Sequence, residues 1–290
     1  KGVLAKSNHQ KEKFELAPPP LPPGASVLID LKNGEILALA SKPNYDLSQL
    51  TPFIPQSVFD QIQRKEAWLP RAWHPGYAPA SPFKLVTAIA GYKAELLDAN
   101  ITRKCDGIYR GMECHVFPGI HGEMNLEDAI SQSCNVYFYR LAEKIGFQQL
   151  VDTAKLLGLD KNPIIEVPQL RDSPIVPDPN WKKRRIGVRW TLEDTFNISI
   201  GQGGLRQSPL QMACLAAKIA TNRKIFQPTL IHSGKSSLPP SSNLGIEKRL
   251  LDEIIDGMLK ATEYGTARRC KIKGISIAGK TGTGQWRNHN

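Results

Sequence analysis

Apolar, β-prone runs stand near the two ends of this chain, and nearly everything between them reads as helix and loop. Ala25–Asp30 and Glu35–Ala40 flank Asn33-Gly34, a strong two-residue hairpin signal. Gly274–Trp286 is again apolar and β-like. Strands at both termini with helices between them predict an α/β fold, a mainly antiparallel sheet made by the two ends and flanked by helices. Phe226–His232 is the one further strand the pattern predicts.

The intervening helices carry their own punctuation. A helical pattern begins at Ser81 and runs to about Leu97, after a loop-rich stretch from Ser41 to Ala80. Asn125 to Gly146 reads as two helices broken near Ser131–Asn135, and Phe147–Leu157 as another, closed by Gly158. Ser208 is an N-cap with Pro209 at the first helical position, for a helix to about Ala220. Asn243–Glu263 reads as a long helix, and the Pro-rich, charged stretch from Asp160 to Arg189 as a solvated loop carrying Lys182-Lys183-Arg184-Arg185. Upstream, APPPLPPG over residues 17–24 cannot pack inside a helix or sheet. Residues 1–24 are therefore expected to be a linker from a preceding region, and residues 25–290 one domain.

Lys plus Arg number 38 against 27 Asp plus Glu, a net charge of +11. That balance suits any anionic partner, yet no nucleic-acid recognition motif accompanies it, so no nucleic-acid partner is expected. No run of 18 or more apolar residues is present to span a membrane.

Three short motifs follow one another. Ser81-Pro82-Phe83-Lys84 places a hydroxyl at a helix start and an amine one turn on, on the same face. A lysine desolvated in a cleft can accept the serine proton. Ser133-Cys134-Asn135 puts a hydroxyl and an amide at the helix break, where they can relay a proton and hold an amide substrate. Ser241-Ser242-Asn243 repeats that pattern in a polar loop and is set aside for its context. Lys280-Thr281-Gly282-Thr283 offers a cation and hydroxyls for a carboxylate, with Gly282 letting a substrate backbone lie against the strand. Singly, each motif has a bland reading as a cap, a loop or a strand end. Their order is what carries weight.

With those motifs, ASVLIDLKNGEILALASKPNYD, PRAWHPGYAPASPFK, HGEMNLEDAISQSCNVYFYRLAEKIG and SIGQGGLRQSPLQMACLAAKIAT make the chain similar, over about residues 25–286, to one family. It resembles the transpeptidase domain of class B penicillin-binding proteins, most closely their elongation type. The resemblance implies the penicillin-binding protein / serine β-lactamase-like fold with an all-α subdomain. It implies that Ser81 attacks D-Ala-D-Ala stem peptides and β-lactams, that Lys84 is the base, and that Ser133 and Asn135 assist. Lys280, Thr281, Gly282 and Thr283 would bind the substrate carboxylate, without a catalytic cofactor. It further implies two strands and a helix beyond the third motif and an upstream anchor at the periplasmic face of a bacterial inner membrane. Partners would be a glycosyltransferase and elongation-complex proteins, reached through the N-terminal region. A class D-like β-lactamase, or a non-catalytic β-lactam sensor or scaffold, is the alternative within the same fold. Family members usually carry Gly where this chain has Ala80, a strained substitution if the turn needs positive φ.

Cys105, Cys114, His121 and Cys134 are spaced C-x8-C-x6-H-x12-C. Three thiolates and an imidazole are the donor set of a closed structural zinc site, with His115 a spare ligand. A Cys105–Cys114 disulfide and four unlinked side chains are the other two readings. Cys214, on an apolar helix, reads as core.

Overall fold

The computed structural model describes residues 22–97, 101–168, 170–232, 234 and 237–284. Most of the N-terminal linker and the end of the last predicted strand, including Trp286, lie outside the described residues. The hairpin forms as the sequence predicts. Strands β1 (Gly24–Ile29) and β2 (Ile36–Lys42) pair antiparallel. Asn33 Oδ1 accepts from Glu35 N at 3.0 Å, and Gly34 takes φ 81° in the turn. Helix α1 (Gln56–Arg64) follows within the loop-rich stretch.

Helix α2 (Lys84–Lys93) is the axis of the molecule, with every residue from Lys84 to Gly91 buried. A single 3-10 turn, Ser81–Phe83, leads into it. It ends four residues before the predicted Leu97. Four short strands come next, β3 (Arg103–Cys105), β4 (Ile108–Tyr109), β5 (Met112–Glu113) and β6 (Gly122–Met124), paired β3 with β6 and β4 with β5. Helices α3 (Leu126–Ser131) and α4 (Asn135–Leu156) flank the predicted break, and α4 bends at Gly146, whose φ is 75°. Helix α5 (Pro179–Ile186), α6 (Leu192–Ser199), α7 (Pro209–Thr221) and α8 (Lys248–Glu263) complete the order.

The core lies where α2 meets α4 and α6, and α3 meets α8. A second, smaller core under the hairpin joins Leu210, Cys214, Ala217 and Phe226 to Val27, Ile29, Ile36 and Leu39. Cys214 is thus a core residue, as expected. In α7 the Ser208 N-cap forms as expected, Ser208 Oγ accepting from Gln211 N at 3.1 Å, and the structure adds a reciprocal bond in which Gln211 Oε1 accepts from Ser208 N at 2.8 Å.

Four sequence expectations need correction. Phe226–His232 is not a strand. Thr229 makes one parallel bridge to Glu35, Pro228 has no N–H to extend it, and Glu166 takes the Thr229 hydroxyl and the Leu230 N–H. The charged run 182–185 is not a loop but helix α5, capped by Asp178, begun by Pro179 and closed by Gly187 at φ 84°. Helix α8 starts at Lys248 rather than Asn243. Finally, residues 276–284 form no strand and pair with none among the described residues, so the two ends do not share a sheet here. Their backbone bonds go to helix and loop instead: Gly279 N donates to Met258 O at 3.0 Å, and Ile277 O accepts from the Thr262 hydroxyl. No described helix is long and apolar enough to cross a membrane.

Candidate active site

Ser81 stands half-buried at the first position of the turn that feeds α2. The residue before it, Ala80, has φ 54° and ψ −150°, a region essentially reserved for glycine. The turn is braced from behind. Ala80 N donates to Gly201 O at 2.9 Å, and a Cβ at Gly201 would overlap the Ala80 carbonyl.

Lys84 is fully buried on the first turn of α2. Its Nζ donates to Ser133 O at 2.7 Å, Asn135 Oδ1 at 2.7 Å and Ser133 Oγ at 3.2 Å. None of those bonds goes to the Ser81 hydroxyl, so the first motif is joined to the second through its lysine. Burial, and next the neighbouring Lys280 charge, hold the Lys84 ammonium well below the usual lysine range.

Ser133 sits in the left-handed region at φ 55°, between the end of α3 and the start of α4. The loop is closed by Ser133 N donating to Ile130 O at 3.2 Å and Cys134 N to Ala129 O at 3.0 Å. Lys280 reaches the same hydroxyl from the other side, its Nζ 2.8 Å from Ser133 Oγ. Burial lowers the Lys280 ammonium to about 7. Two lysines thus converge on one serine oxygen, and loss of a proton from either eases the repulsion between them.

Gly282 lies against the helix start, where a Cβ would stand 2.7 Å from Pro82 Cδ. Only glycine allows this third motif to approach the first so closely. Two residues outside the three motifs complete the frame. Thr266 Oγ1 accepts from Thr281 Oγ1 at 2.8 Å, and Thr266 N donates to Ser131 O at 3.2 Å. Gln202 Nε2 donates to Thr283 O at 3.0 Å. Gln202 lies in the SIGQGG stretch that carries part of the family resemblance. Thr266 carries no local signal beyond its place after a helix end.

Beneath the Ser133 loop the four candidate metal-binding residues come together, their donor atoms all within 4.8 Å of one another. Cys114 Sγ is 3.9 Å from Cys134 Sγ and 3.6 Å from His121 Nδ1, which is 3.5 Å from Cys105 Sγ. All five cysteines are unpaired, so the Cys105–Cys114 disulfide does not form. Tetrahedral zinc bonds of about 2.3 Å to sulfur and 2.0–2.1 Å to nitrogen require roughly 3.8 Å between sulfurs and 3.5 Å between sulfur and nitrogen. The three separations given above fit. His115 lies farther out, its Nδ1 3.9 Å from Cys114 Sγ. Backbone N–H groups at the start of α4 already serve two of the sulfurs, Asn135 N to Cys114 Sγ at 3.3 Å and Tyr137 N to Cys134 Sγ at 3.4 Å.

The chain as a whole is similar to known proteins. The family described as "Penicillin binding protein transpeptidase domain" matches residues 24–290. Peptidoglycan D,D-transpeptidase MrdA of Acinetobacter baumannii is 27% identical over 277 residues, 90% of this chain and 41% of that protein. The solved penicillin-binding protein PBP2 of Helicobacter pylori, in complex with MreC, superposes with a TM-score of 0.82 at 28% identity, over 90% of this chain and 50% of that one. A solved peptidoglycan synthase complex, described as coordinating polymerization and crosslinking, gives a TM-score of 0.80 at 28% identity, covering 92% of this chain and 47% of the other. The chain thus spans between two fifths and half the length of these relatives.

Proposed function

The chain belongs to the penicillin-binding protein transpeptidase family, and from that premise we propose that it cross-links peptidoglycan stem peptides through an acyl-enzyme on Ser81. The observation that carries the reading is the convergence of Lys84 and Lys280 on Ser133 Oγ, at 3.2 and 2.8 Å, beside the helix start that presents Ser81.

In this reading a neutral Lys84 takes the Ser81 proton as Oγ attacks the penultimate D-Ala carbonyl. Desolvation and the neighbouring cation lower the cost of keeping that amine uncharged. Asn135 orients both the amine and the substrate amide, and Ser133 passes the proton to the departing D-Ala. Lys280, with Thr281 and Thr283, holds the terminal carboxylate, and Gly282 leaves room for the peptide backbone. The C–N bond to D-Ala breaks, and an amine of a neighbouring strand then displaces Ser81. This chemistry takes no cofactor. A β-lactam imitates the peptide and stops at the acyl-enzyme.

We assign the protein to cell-wall elongation at the periplasmic face of the inner membrane, anchored through an upstream segment. The named relatives support this, one of them solved with MreC. A glycosyltransferase partner fits the similarity to a synthase complex in which polymerization and crosslinking are coordinated. Cys105, Cys114, His121 and Cys134 are proposed to hold one structural zinc ion. With four protein ligands it would leave no open position for catalysis, and would fix the loop in which Cys134 stands between Ser133 and Asn135. Metal analysis should find one zinc per chain, lost in Cys134→Ala.

The deciding experiment is labelling with a fluorescent penicillin, read by intact mass. Wild type should carry one covalent adduct and Ser81→Ala none. A folded wild type that takes no label overturns the proposal.

A further inference from the structure

Next to the two motif walls lies an open groove of about 390 Å³, lined by Gln132, Tyr264, Gly265, Thr266, Arg268 and Arg269. Its position follows from hydrogen bonds. Gln132 immediately precedes Ser133. The Thr266 N–H and hydroxyl both reach Ser131 O at 3.2 Å, and the same hydroxyl accepts from Thr281. Gly265 lies so close to the Ser133 loop that a Cβ there would stand 2.5 Å from Ser131 O and 2.6 Å from Ser131 Oγ. The groove is therefore fastened to the serine loop on one side and to the carboxylate-binding segment on the other.

Its chemistry is one-sided. Arg268 and Arg269 sit on a single 3-10 turn, Arg268–Cys270, and both are exposed. Neither guanidinium takes part in an ion pair among the described residues. The Gln132 amide and the Tyr264 hydroxyl add hydrogen-bonding groups without charge. No Asp or Glu lines the groove. Paired guanidiniums of this kind favour a carboxylate, which they bind with charge-assisted bonds in a planar, forked geometry.

Mechanism then says which carboxylate. In the proposed reaction one amine leaves the acyl carbon and another enters. Both pass the same base, because microscopic reversibility gives departure and attack the same path. The entering amine therefore arrives at the end of the site from which D-Ala has gone, the end marked by Lys280 and Thr281. The groove adjoins that end through the Thr266–Thr281 bond.

We propose that the Arg268–Arg269 groove is the acceptor subsite, binding a carboxylate of the incoming peptide strand so that the amine of that strand faces the Ser81 ester. The inference rests on the transpeptidase reading and extends it from the donor peptide to the acceptor. In the step it serves, the neutral acceptor amine forms the C–N bond, the C–Oγ bond to Ser81 breaks, and the amine proton passes to Oγ.

The test acylates the full chain with a thioester donor, N-benzoyl-D-alanyl thioglycolate, and offers D-glutamate or D-glutamine as acceptor. The two amines differ by one side-chain carboxylate, so recognition of the α-carboxylate by Lys280 and Thr281 is common to both. The reading is the ratio of aminolysis to hydrolysis per acyl-enzyme formed, which removes any loss of folded protein from the comparison. Wild type should favour D-glutamate by about tenfold, the size of one charge-assisted contact. Arg268→Gln combined with Arg269→Gln should bring the two acceptors to near parity, and Arg268→Lys with Arg269→Lys should keep most of the preference. A double glutamine variant that retains the preference, or a wild type that acylates and uses both amines alike, overturns the subsite alone. A wild type that takes no acyl group overturns the transpeptidase reading and the subsite with it.

Discussion

The Ser133 loop and the Lys280–Thr283 segment meet at one hydroxyl, yet they are held in opposite ways. The loop is buried, closed by its own backbone bonds, clamped by Lys84 from above and backed by the cysteine–histidine cluster below. The segment is half-buried to exposed, has no ladder partner among the described residues, and is fastened through single side-chain contacts to Ser133, Thr266 and Gln202, with Gly279 and Ile277 just before it bonded to Met258 and Thr262. Proton transfer tolerates little misplacement, whereas an ionic contact to a carboxylate tolerates more. The rigid half of the site should then govern the rate of the chemical step, and the lightly held half should govern binding.

The sharpest way to break that division is at the two lysines. Lys84→Met should reduce the maximal rate of acylation by penicillin about 10²- to 10⁴-fold, the usual share of a positioned base. A fall of less than tenfold would remove Lys84 from proton transfer. Lys280→Met should act differently, raising the concentration needed for half-maximal acylation about tenfold with a smaller change in the maximal rate. If both variants lose only maximal rate, the two halves do not divide the work.

Titration sharpens the same contrast. The Lys280 ammonium is lowered to about 7 by burial. Its hold on a carboxylate should weaken as pH rises through that value, so acylation efficiency should decline on the alkaline side in wild type and lose that limb in Lys280→Met. Lys84 works in the other direction, since it must be neutral to accept a proton, and its lowered pKa moves the rising limb to lower pH. Stability follows from the same sign. Between about 7 and the ordinary lysine value of 10.5 the unfolded chain binds the Lys280 proton and the folded one does not. The penalty for burying this lysine is therefore full below pH 7 and fades toward pH 10.5, so this group makes stability rise with pH across that window. Thermal melts should show a shallower rise in Lys280→Met.

The sequence carried the rigid half better than the light one. Asn33-Gly34, Ser208-Pro209 and the break before Asn135 are local signals, and each sits where the structure uses it. Strands do not announce themselves in this way. Residues 226–232 and 274–284 have strand composition, but a strand exists only where a neighbouring backbone pairs with it, and that is a property of distant residues. Helix α5 was hidden for the opposite reason: its charges mask any apolar period, while its real signals are Asp178-Pro179 at one end and Gly187 at the other. Thr266 and Gln202 escaped because each acts on a segment 15 or 81 residues away.

The smallest effect concerns the joint between the halves, at Ala80. Its φ of 54° and ψ of −150° suit glycine, and strain of this kind costs about 1–3 kcal/mol. The surroundings impose it, since Ala80 N is tied to Gly201 O and Ala80 O accepts from Phe83 N, both at 2.9 Å. Ala80→Gly should relieve the strain but give the unfolded chain about 0.5–1 kcal/mol of extra entropy. The net expectation is a gain near 1 kcal/mol in urea unfolding, with the rate of penicillin acylation changed less than about threefold. A loss of stability would mean that the turn before Ser81 is not strained, and that alanine there is a fit rather than a burden.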